Sequence, residues 1–298
     1  MDKIMHKYRH WLQAAWMALT NSYATGFVQG KIFRGETKAV CVPGLNCYSC
    51  PGARGACPIG SLQAVLDSRE FTVSCYVLGF IMLFGVTMGR LVCGFLCPFG
   101  FVQDMLYKIP LGKKRKNLPG HRWLKYLKYV VLVVLVLLLP SLPTNLSGGG
   151  DPWFCKWVCP SGTLMGGIPL VLTNEGLRGA VGALFTWKMA LLLIILALSV
   201  LWYRPFCKYL CPLGALYGIC NPIALYGFRV DEKKCTRCGQ CQKACGMGLA
   251  VYKTPNSAEC IRCGDCRAVC PTGAISLKSV SRKAARAQKN DACDADPD

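Results

Sequence analysis

Residues 90–100 read Arg-Leu-Val-Cys-Gly-Phe-Leu-Cys-Pro-Phe-Gly, and residues 204–214 read Arg-Pro-Phe-Cys-Lys-Tyr-Leu-Cys-Pro-Leu-Gly. The two stretches match at the arginine, at both cysteines and at the final Cys-Pro-x-Gly core. The same core occurs at Cys57 and at Cys159, and Cys155 precedes the latter by four positions. Such self-similarity indicates an internal duplication. The sequence therefore predicts two related halves, each with two Cys-Pro-x-Gly cores.

The proline in each core predicts where a helix begins. Proline is favoured in the first turn of a helix, because no hydrogen bond is lost there through its missing N–H. The cysteine then lies at the helix N-terminus, where free N–H groups and the positive end of the helix dipole favour an anionic thiolate. Cysteines four residues apart can also simply pack on one helix face, but four copies of the core make that explanation weak.

The C-terminal part carries eight cysteines in a denser pattern. Segment 235–245 has the spacing C-x2-C-x2-C-x3-C, and segment 260–271 repeats it and ends in Cys-Pro. This double run is typical of two [4Fe–4S] clusters, in which the fourth cysteine of each run ligates the other cluster. Zinc is the alternative for C-x2-C pairs, but the eight-cysteine spacing is more specific. The predicted ligands are Cys235, Cys238, Cys241 and Cys270 for one cluster, and Cys245, Cys260, Cys263 and Cys266 for the other.

Composition indicates a membrane protein. Of the 298 residues 53% are hydrophobic. Apolar runs near 72–92, 124–142 and 181–203 reach the roughly 20 residues that cross a bilayer. A fourth run near 11–30 is interrupted by polar residues, so an interfacial amphipathic helix is its alternative. The expected fold is membrane all-α, with four transmembrane helices in two pseudo-repeated halves, plus a small α+β ferredoxin domain that holds two clusters.

The net charge of +20 is explained by membrane topology better than by nucleic-acid binding. Lys and Arg concentrate in 1–10, 104–128 and 204–298, whereas 31–70 and 143–179 hold few. Basic loops remain on the cytoplasmic side. We therefore expect a multi-pass protein of the inner (cytoplasmic) membrane with both termini in the cytoplasm and no nucleic-acid partner.

This topology sorts the remaining cysteines into two layers. The inner layer makes one complete ligand set: Cys93, Cys97, Cys207 and Cys211. In the outer layer Cys50 is favoured over Cys47 as a ligand because Pro51 follows it, and the expected set is Cys50, Cys57, Cys155 and Cys159. Cys41 and Cys47 either form a disulfide on the oxidising side or serve an additional cluster. The prediction is four [4Fe–4S] clusters in all.

Three regions are expected: a membrane domain over 1–228, a two-cluster ferredoxin domain over 229–279 and a disordered tail over 280–298. The chain has no C-x-x-C-H haem motif, dinucleotide fingerprint or P-loop, and the expected spans hold no acidic residue. No catalytic residue is predicted. An electron-transfer subunit is therefore expected rather than a stand-alone enzyme.

The motifs at 93–98 and 207–212, together with the C-terminal cysteine run, resemble those of the membrane polyferredoxin family over about residues 70–280. That family includes the quinol-dehydrogenase membrane component of periplasmic nitrate reductase and the membrane part of the nitrous-oxide-reductase regulator. The resemblance implies four spans and electron transfer between quinol or cytoplasmic donors and periplasmic reductases. The outer cysteines are a departure from the simplest members.

These features predict an integral-membrane protein that passes electrons between a cytoplasmic donor, such as a ferredoxin, and an extracytoplasmic redox protein. A quinol dehydrogenase or quinone-linked subunit of a periplasmic reductase system is the first alternative, with His121 as the histidine closest to a span end. A redox sensor or metal-centre assembly factor is the second. A carrier of this kind is expected to serve a larger complex.

Overall fold

A computed structural model describes residues 2–68, 71–142, 151–179 and 181–279. This part is mostly helical, with one small sheet. The expected tail over 280–298 lies outside the described residues. The helices of the first half are α1 (Asp2–Thr20), α2 (Ala24–Gln29), a 3-10 turn (Glu36–Ala39), α3 (Pro58–Ser68), α4 (Phe71–Thr87), α5 (Leu91–Phe95) and α6 (Pro98–Lys108).

The second half repeats this order. It opens with α7 (His121–Ser141), which contains a π-helical stretch at Leu132–Leu138. Segment 154–173 alternates π- and α-helical turns around Cys159. The helices that follow are α8 (Glu175–Gly179), α9 (Ala183–Leu201), α10 (Pro205–Tyr209) and α11 (Pro212–Cys220), with a 3-10 turn at Asn221–Ile223.

Helices of each half pack against helices of the other half. Helix α6 of the first half packs against α9 of the second, and α11 of the second half packs against α4 and α7. Each short helix that begins at an inner Cys-Pro core therefore lies against the last long helix of the opposite half. This exchange brings the two inner cores together, as the duplication requires.

Two helices are long and apolar enough to cross a membrane: His121–Ser141 and Ala183–Leu201. The apolar part of α4, Cys75–Thr87, is shorter. These helices correspond to three of the four expected runs. By length and composition, however, the described part of the chain provides two candidate spans and not the four that were expected.

The apolar run predicted over 11–30 is not one helix. Helix α1 begins at Asp2 and ends at Thr20, where the side chains of Thr20 and Asn21 donate hydrogen bonds to the carbonyls of Trp16 and Met17. Such local side-chain bonds compete with continuation of a helix. Three polar side chains of α1 are buried on one face, namely Arg9, Gln13 and Thr20, whereas its exposed side chains include Trp11, Leu12 and Leu19.

Most of the loop over 40–57 is buried, although loops usually lie at the surface. Leu45 is 1% exposed and Asn46 is fully buried. The Val42 N–H donates to the Ala56 carbonyl and the Ala56 N–H to the Val40 carbonyl, both over 2.9 Å. Buried backbone needs such partners. The loop thereby carries several cysteines into the helical bundle.

The C-terminal module contains two strands and two short helices. Strand β1 (Tyr226–Val230) pairs antiparallel with β2 (Ile275–Ser279), and α12 (Gln240–Ala244) and α13 (Asp265–Ala268) lie between them in the chain. The expected α+β character is confirmed. The expected boundary between 228 and 229 falls inside β1, because the first strand of the module must pair with the last.

Candidate iron–sulfur centres

Each Cys-Pro-x-Gly core begins a helix, as its proline predicts. The backbone N–H of Gly100 donates to Cys97 Sγ, that of Gly162 to Cys159 Sγ and that of Gly214 to Cys211 Sγ, each over 3.4 Å. The Gly60 N–H donates to Cys57 in the same way. Each sulfur therefore accepts an N–H that has no partner within the helix. The prediction that these cysteines cap helix N-termini is confirmed.

The predicted inner ligands are brought together. Cys93, Cys97, Cys207 and Cys211 are all buried, and each interacts electrostatically with others of the set. Burial, followed by the charge of Cys97, raises the pKa of Cys207 to about 12. Free thiols would therefore stay protonated here, whereas bound iron favours the thiolate and releases the proton.

Two arginines cross between the halves at this site. Arg204 donates to the Cys93 carbonyl over 2.6 Å, and Arg90 donates to the Cys207 carbonyl over 3.1 Å. Both side chains are fully buried. The arginine that precedes each C-x3-C pair therefore serves the pair of the opposite half. The repeat in the sequence identified both arginines as equivalent residues. It did not indicate that each would contact the cysteine pair of the other half.

Two carboxylates accompany the arginines. Asp104 accepts hydrogen bonds from Arg204 over 2.7 and 2.5 Å and also pairs with Arg9. Burial would raise the pKa of Asp104, but the two guanidinium groups hold it well below its usual value. Glu259 pairs with Arg90 over 2.8 Å and with Lys128. Asp104 is therefore the charge partner of Arg204 and Arg9.

The cavity at the outer cysteines is lined by Cys47 and not by Cys50. Its cysteines are Cys47, Cys57, Cys155 and Cys159. Cys50 packs beside Cys47 with Ala53 and Met165, and its Sγ lies 3.5 Å from Asn21 Oδ1. The argument from Pro51 does not hold because no helix follows it: residues 51 and 52 form a turn, and 53 and 54 have no regular secondary structure. Lys188 also lines the cavity and donates to the Cys155 carbonyl over 3.1 Å.

Cys41 lies apart from this cavity. It is buried, its N–H donates to Tyr76 Oη over 3.1 Å, and its Sγ lies 3.6 Å from Ser61 Oγ. Cys41 and Cys47 are both free thiols. The structure therefore contains no disulfide bond between Cys41 and Cys47, which was one of the two alternatives for this pair.

The eight C-terminal cysteines form the two predicted sets. Cys235, Cys238, Cys241 and Cys270 line one cavity at the surface of the module. Burial raises the pKa of Cys260 to about 11, and Cys245 contributes to the shift. Burial also raises the pKa of Cys266, with contributions from Cys260 and Cys245. Cys263 interacts with Cys260, which completes the second and more deeply buried set.

The second set lies directly against the inner site. A side chain on Gly94 would come within 2.5 Å of the Ile261 carbonyl, so glycine is required there for the two backbones to approach. Arg262 donates to the carbonyls of Met88 and Asn221, both over 2.7 Å. The Asn221 side chain donates to the Cys260 carbonyl over 2.9 Å. The module is therefore docked beside the helix that carries Cys93.

Tyr217 lies between the inner and outer sets. It is fully buried, and its hydroxyl donates to the Pro43 carbonyl over 3.1 Å. Both Cys93 and Cys57, one from each set, influence its hydroxyl electrostatically. In the same region a side chain on Gly44 would come within 3.0 Å of Cys97 Cα. The part of the loop over 40–57 that leads to Cys47 therefore touches the inner site.

The donor sets fit iron–sulfur clusters. Each offers four thiols with no histidine among them, and N–H groups point at several of the sulfurs, which is the environment that [4Fe–4S] clusters use. A zinc site instead holds its ligands about 2.3 Å from one ion. Within the described ranges, no three His, Cys, Asp or Glu side chains are grouped closely enough to hold a single metal ion. His121 contacts Tyr209 Oη over 3.0 Å and lies outside all four sets.

Comparison with known proteins identifies the class. Two family models match the chain, and both describe a 4Fe-4S binding domain: one covers 72–119, 129–170 and 184–224, and the other covers 254–276. The chain is therefore an iron–sulfur protein of the ferredoxin type that binds [4Fe–4S] clusters and transfers electrons. No solved structure matches it.

An uncharacterised protein of Methanocaldococcus jannaschii is 31% identical over 211 residues, which are 68% of this chain and 78% of the archaeal protein. The chain belongs to the family of that protein. A second uncharacterised protein of the same organism is 28% identical over 72% of this chain and 74% of its own length. The methylamine utilization ferredoxin-type protein MauN of Methylorubrum extorquens is 28% identical over 55% of this chain and 50% of its own.

Replacement of a core glycine should destabilise the inner site. A Cβ at Gly100 would lie 3.1 Å from the Cys93 carbonyl oxygen, whereas one at Gly60 would meet nothing closer than 3.8 Å. We expect Gly100→Ala to cost roughly 1–3 kcal/mol through overpacking and Gly60→Ala to be tolerated. Thermal loss of cluster absorbance in the two variants measures the difference, and equal behaviour would contradict the backbone contact.

Single cysteine variants should distinguish Cys47 from Cys50. We expect Cys47→Ser to lose about four iron atoms per chain, the content of one [4Fe–4S] cluster, because its sulfur faces the cavity. The matched variant Cys50→Ser should keep the full iron content. Iron and acid-labile sulfide analysis of anaerobically purified protein makes the comparison, and the reverse result would restore the assignment made from Pro51.

Proposed function

We propose that this protein is an integral-membrane electron carrier that passes electrons between a donor at the ferredoxin module and an acceptor beside the outer cysteines. The observation that carries the proposal is the continuous series of four cysteine sets. The proposed ligands, in order from the module, are Cys235, Cys238, Cys241 and Cys270; Cys245, Cys260, Cys263 and Cys266; Cys93, Cys97, Cys207 and Cys211; and Cys47, Cys57, Cys155 and Cys159.

Exposure supports an entry point at the first set. Cys238 is exposed, whereas the four cysteines of the second set are buried, as are those of the inner set. A soluble partner can therefore approach the first cluster, and the next two are protected from solvent. When bound, the clusters supply the one-electron chemistry, and the protein supplies ligation, order and environment.

Contacts between the sets support a continuous path. Arg90 interacts with Cys93 and Cys207 of the inner set and with Cys260 of the second. Because Gly94 has no side chain, the module backbone can lie close to the inner helices. Tyr217 lies between the inner and outer sets. No bond-making site is needed for such a path, which favours a carrier over a stand-alone enzyme.

The surfaces of the long helices support membrane insertion. Only 28% of the apolar window of α7 and 17% of that of α9 is buried in the protein, which leaves most of both apolar surfaces available to lipid. Helix α1 buries Arg9 and Gln13 and exposes Trp11. Polar groups directed inward and apolar groups directed outward are expected for a helix in lipid. We therefore propose α1, α4, α7 and α9 as four spans of the cytoplasmic membrane, with both termini in the cytoplasm.

The two ends of the path differ in what they offer a partner. Basic residues surround the first cluster, among them Lys233, Lys234 and Arg237, and would attract an acidic carrier such as a ferredoxin. At the other end, an open cleft shares Tyr48 and Leu170 with the outer cysteine cavity and is also lined by Lys31 and Arg34. We propose that an extracytoplasmic redox protein docks there, and that the chain serves as a subunit of a larger electron-transfer complex.

With α4, α7 and α9 as spans, the crossing of α1 can be tested through the location of the chain ends. If α1 crosses the membrane, N- and C-terminal epitope tags should both be cleaved by protease in inside-out vesicles and both protected in right-side-out vesicles. If α1 lies at the interface, the two tags should show opposite accessibility, and the four-span proposal would be wrong.

The carrier function can be tested in vesicles that contain the protein and a trapped acceptor, ferricytochrome c. A reduced ferredoxin added outside should reduce the acceptor in vesicles whose module faces outward. Cys207→Ser should bring the rate down to that of protein-free vesicles while the two module clusters remain reducible. Cys75→Ser is the matched control, because Cys75 is exposed and belongs to no set. Electron transfer by the Cys207→Ser variant at the wild-type rate would contradict the proposal.

A further inference from the structure

A glutamine occurs at the same place in both cores of the first half. Gln63 follows Cys57 by six residues, and Gln103 follows Cys97 by six. They lie on α3 and α6, in the second turn of the helix that each core begins. Both side chains are fully buried. Burial of an amide is unfavourable unless its hydrogen bonds are made, so their partners are informative.

Each glutamine donates to a cysteine of the opposite half. Gln103 Nε2 lies 3.0 Å from Cys207 Sγ, and Gln63 Nε2 lies 3.3 Å from Cys155 Sγ. In both cases the acceptor is the first cysteine of a C-x3-C pair. The inner and outer sites therefore contain the same contact, made by equivalent residues of the duplicated chain.

The surroundings determine which end of the Gln63 amide faces the sulfur. Its Oε1 accepts the Phe154 N–H over 3.1 Å, and its Nε2 also donates to the Ile59 carbonyl over 3.2 Å. The donor end is thereby directed at Cys155. In the described part of the chain Gln103 Oε1 has no hydrogen-bond partner. The buried Gln103 amide is therefore bonded there through Nε2, which donates to Cys207 Sγ.

We propose that Gln103 and Gln63 raise the reduction potentials of the inner and outer clusters, each by donating one N–H to a cysteine ligand. The inference rests on the ligand sets given under the proposed function. On reduction a cluster gains one electron and no bond breaks. The reduced form carries the greater negative charge, so a fixed N–H donor stabilises it more than the oxidised form. Hydrogen bonds to the sulfurs are a known determinant of cluster potential.

The second half of the chain provides no equivalent donor. The residues six positions after Cys159 and Cys211 are Met165 and Tyr217. Each membrane cluster therefore receives one such amide, always from the first half. Because the chain already has methionine at one of these equivalent positions, methionine is a suitable replacement for the glutamine: it fills the site but has no N–H to donate.

A potentiometric titration monitored by EPR tests the inference on the holoprotein in detergent. Gln103→Met should lower the ratio of reduced to oxidised inner cluster about tenfold at a fixed potential, equivalent to about 59 mV for one electron. The outer cluster should not change. Gln63→Met likewise removes the donor and adds no charge, so it should shift the outer cluster alone. Each variant is the control for the other.

Unchanged potentials in variants with full iron content would overturn the inference. If a variant loses its cluster, wild-type protein labelled with 15N in the glutamine side-chain amide provides the test. Pulsed EPR of the reduced protein should then show a 15N coupling, and the lack of one would also overturn the inference. Failure of the proposed function looks different: wild-type protein would carry the iron of the two module clusters only, and Cys207→Ser would leave its EPR spectrum unchanged.

Discussion

The contact on which the rest of the architecture depends is a cation, fully buried at the two inner pairs, that donates to the carbonyl of the first cysteine in each C-x3-C pair. Arg204 holds Cys93 and Arg90 holds Cys207, and Lys188 does the same for Cys155. In every case the cation comes from a different segment of the chain. The contact therefore positions a ligand and closes the bundle at the same time, and neither half can complete a four-cysteine set alone.

Buried charge is expensive unless it is compensated, and compensation within the protein is incomplete around the inner set. Arg9, Arg90, Lys128 and Arg204 are buried there with two carboxylates, Asp104 and Glu259. The four named cations outnumber the carboxylates by two, and Lys208 and Arg262 are buried in the same region as well. A cluster with four thiolates would supply negative charge there. The cluster that the inner site is proposed to hold would therefore offset part of this excess, and its loss would leave more cations uncompensated in an apolar interior.

Much of this site could be predicted because its chemistry follows short spacings. The C-x2-C-x2-C-x3-C runs and the Cys-Pro-x-Gly cores specify local turns and helix starts, so their ligand sets were assembled without knowledge of the fold. Cys50 was preferred to Cys47 because the loop over 40–57 has no periodic pattern that would place either residue, and Pro51 there follows a turn and begins no helix. The end of α1 was missed because side-chain hydrogen bonds at Thr20 and Asn21 stop the helix inside an apolar run.

The buried loop also explains how two layers of cysteines can act together. In the membrane setting proposed above, an irregular segment is tolerated where protein surrounds it, and this one is held by Tyr76 at one end and by Tyr217 further along. Because Gly44 touches the backbone of Cys97 and Cys47 follows three residues later, a short stretch of backbone joins the two sites. A regular helix would run from one face to the other without approaching the inner ligands. The departure from helical structure is therefore what shortens the route between the sets.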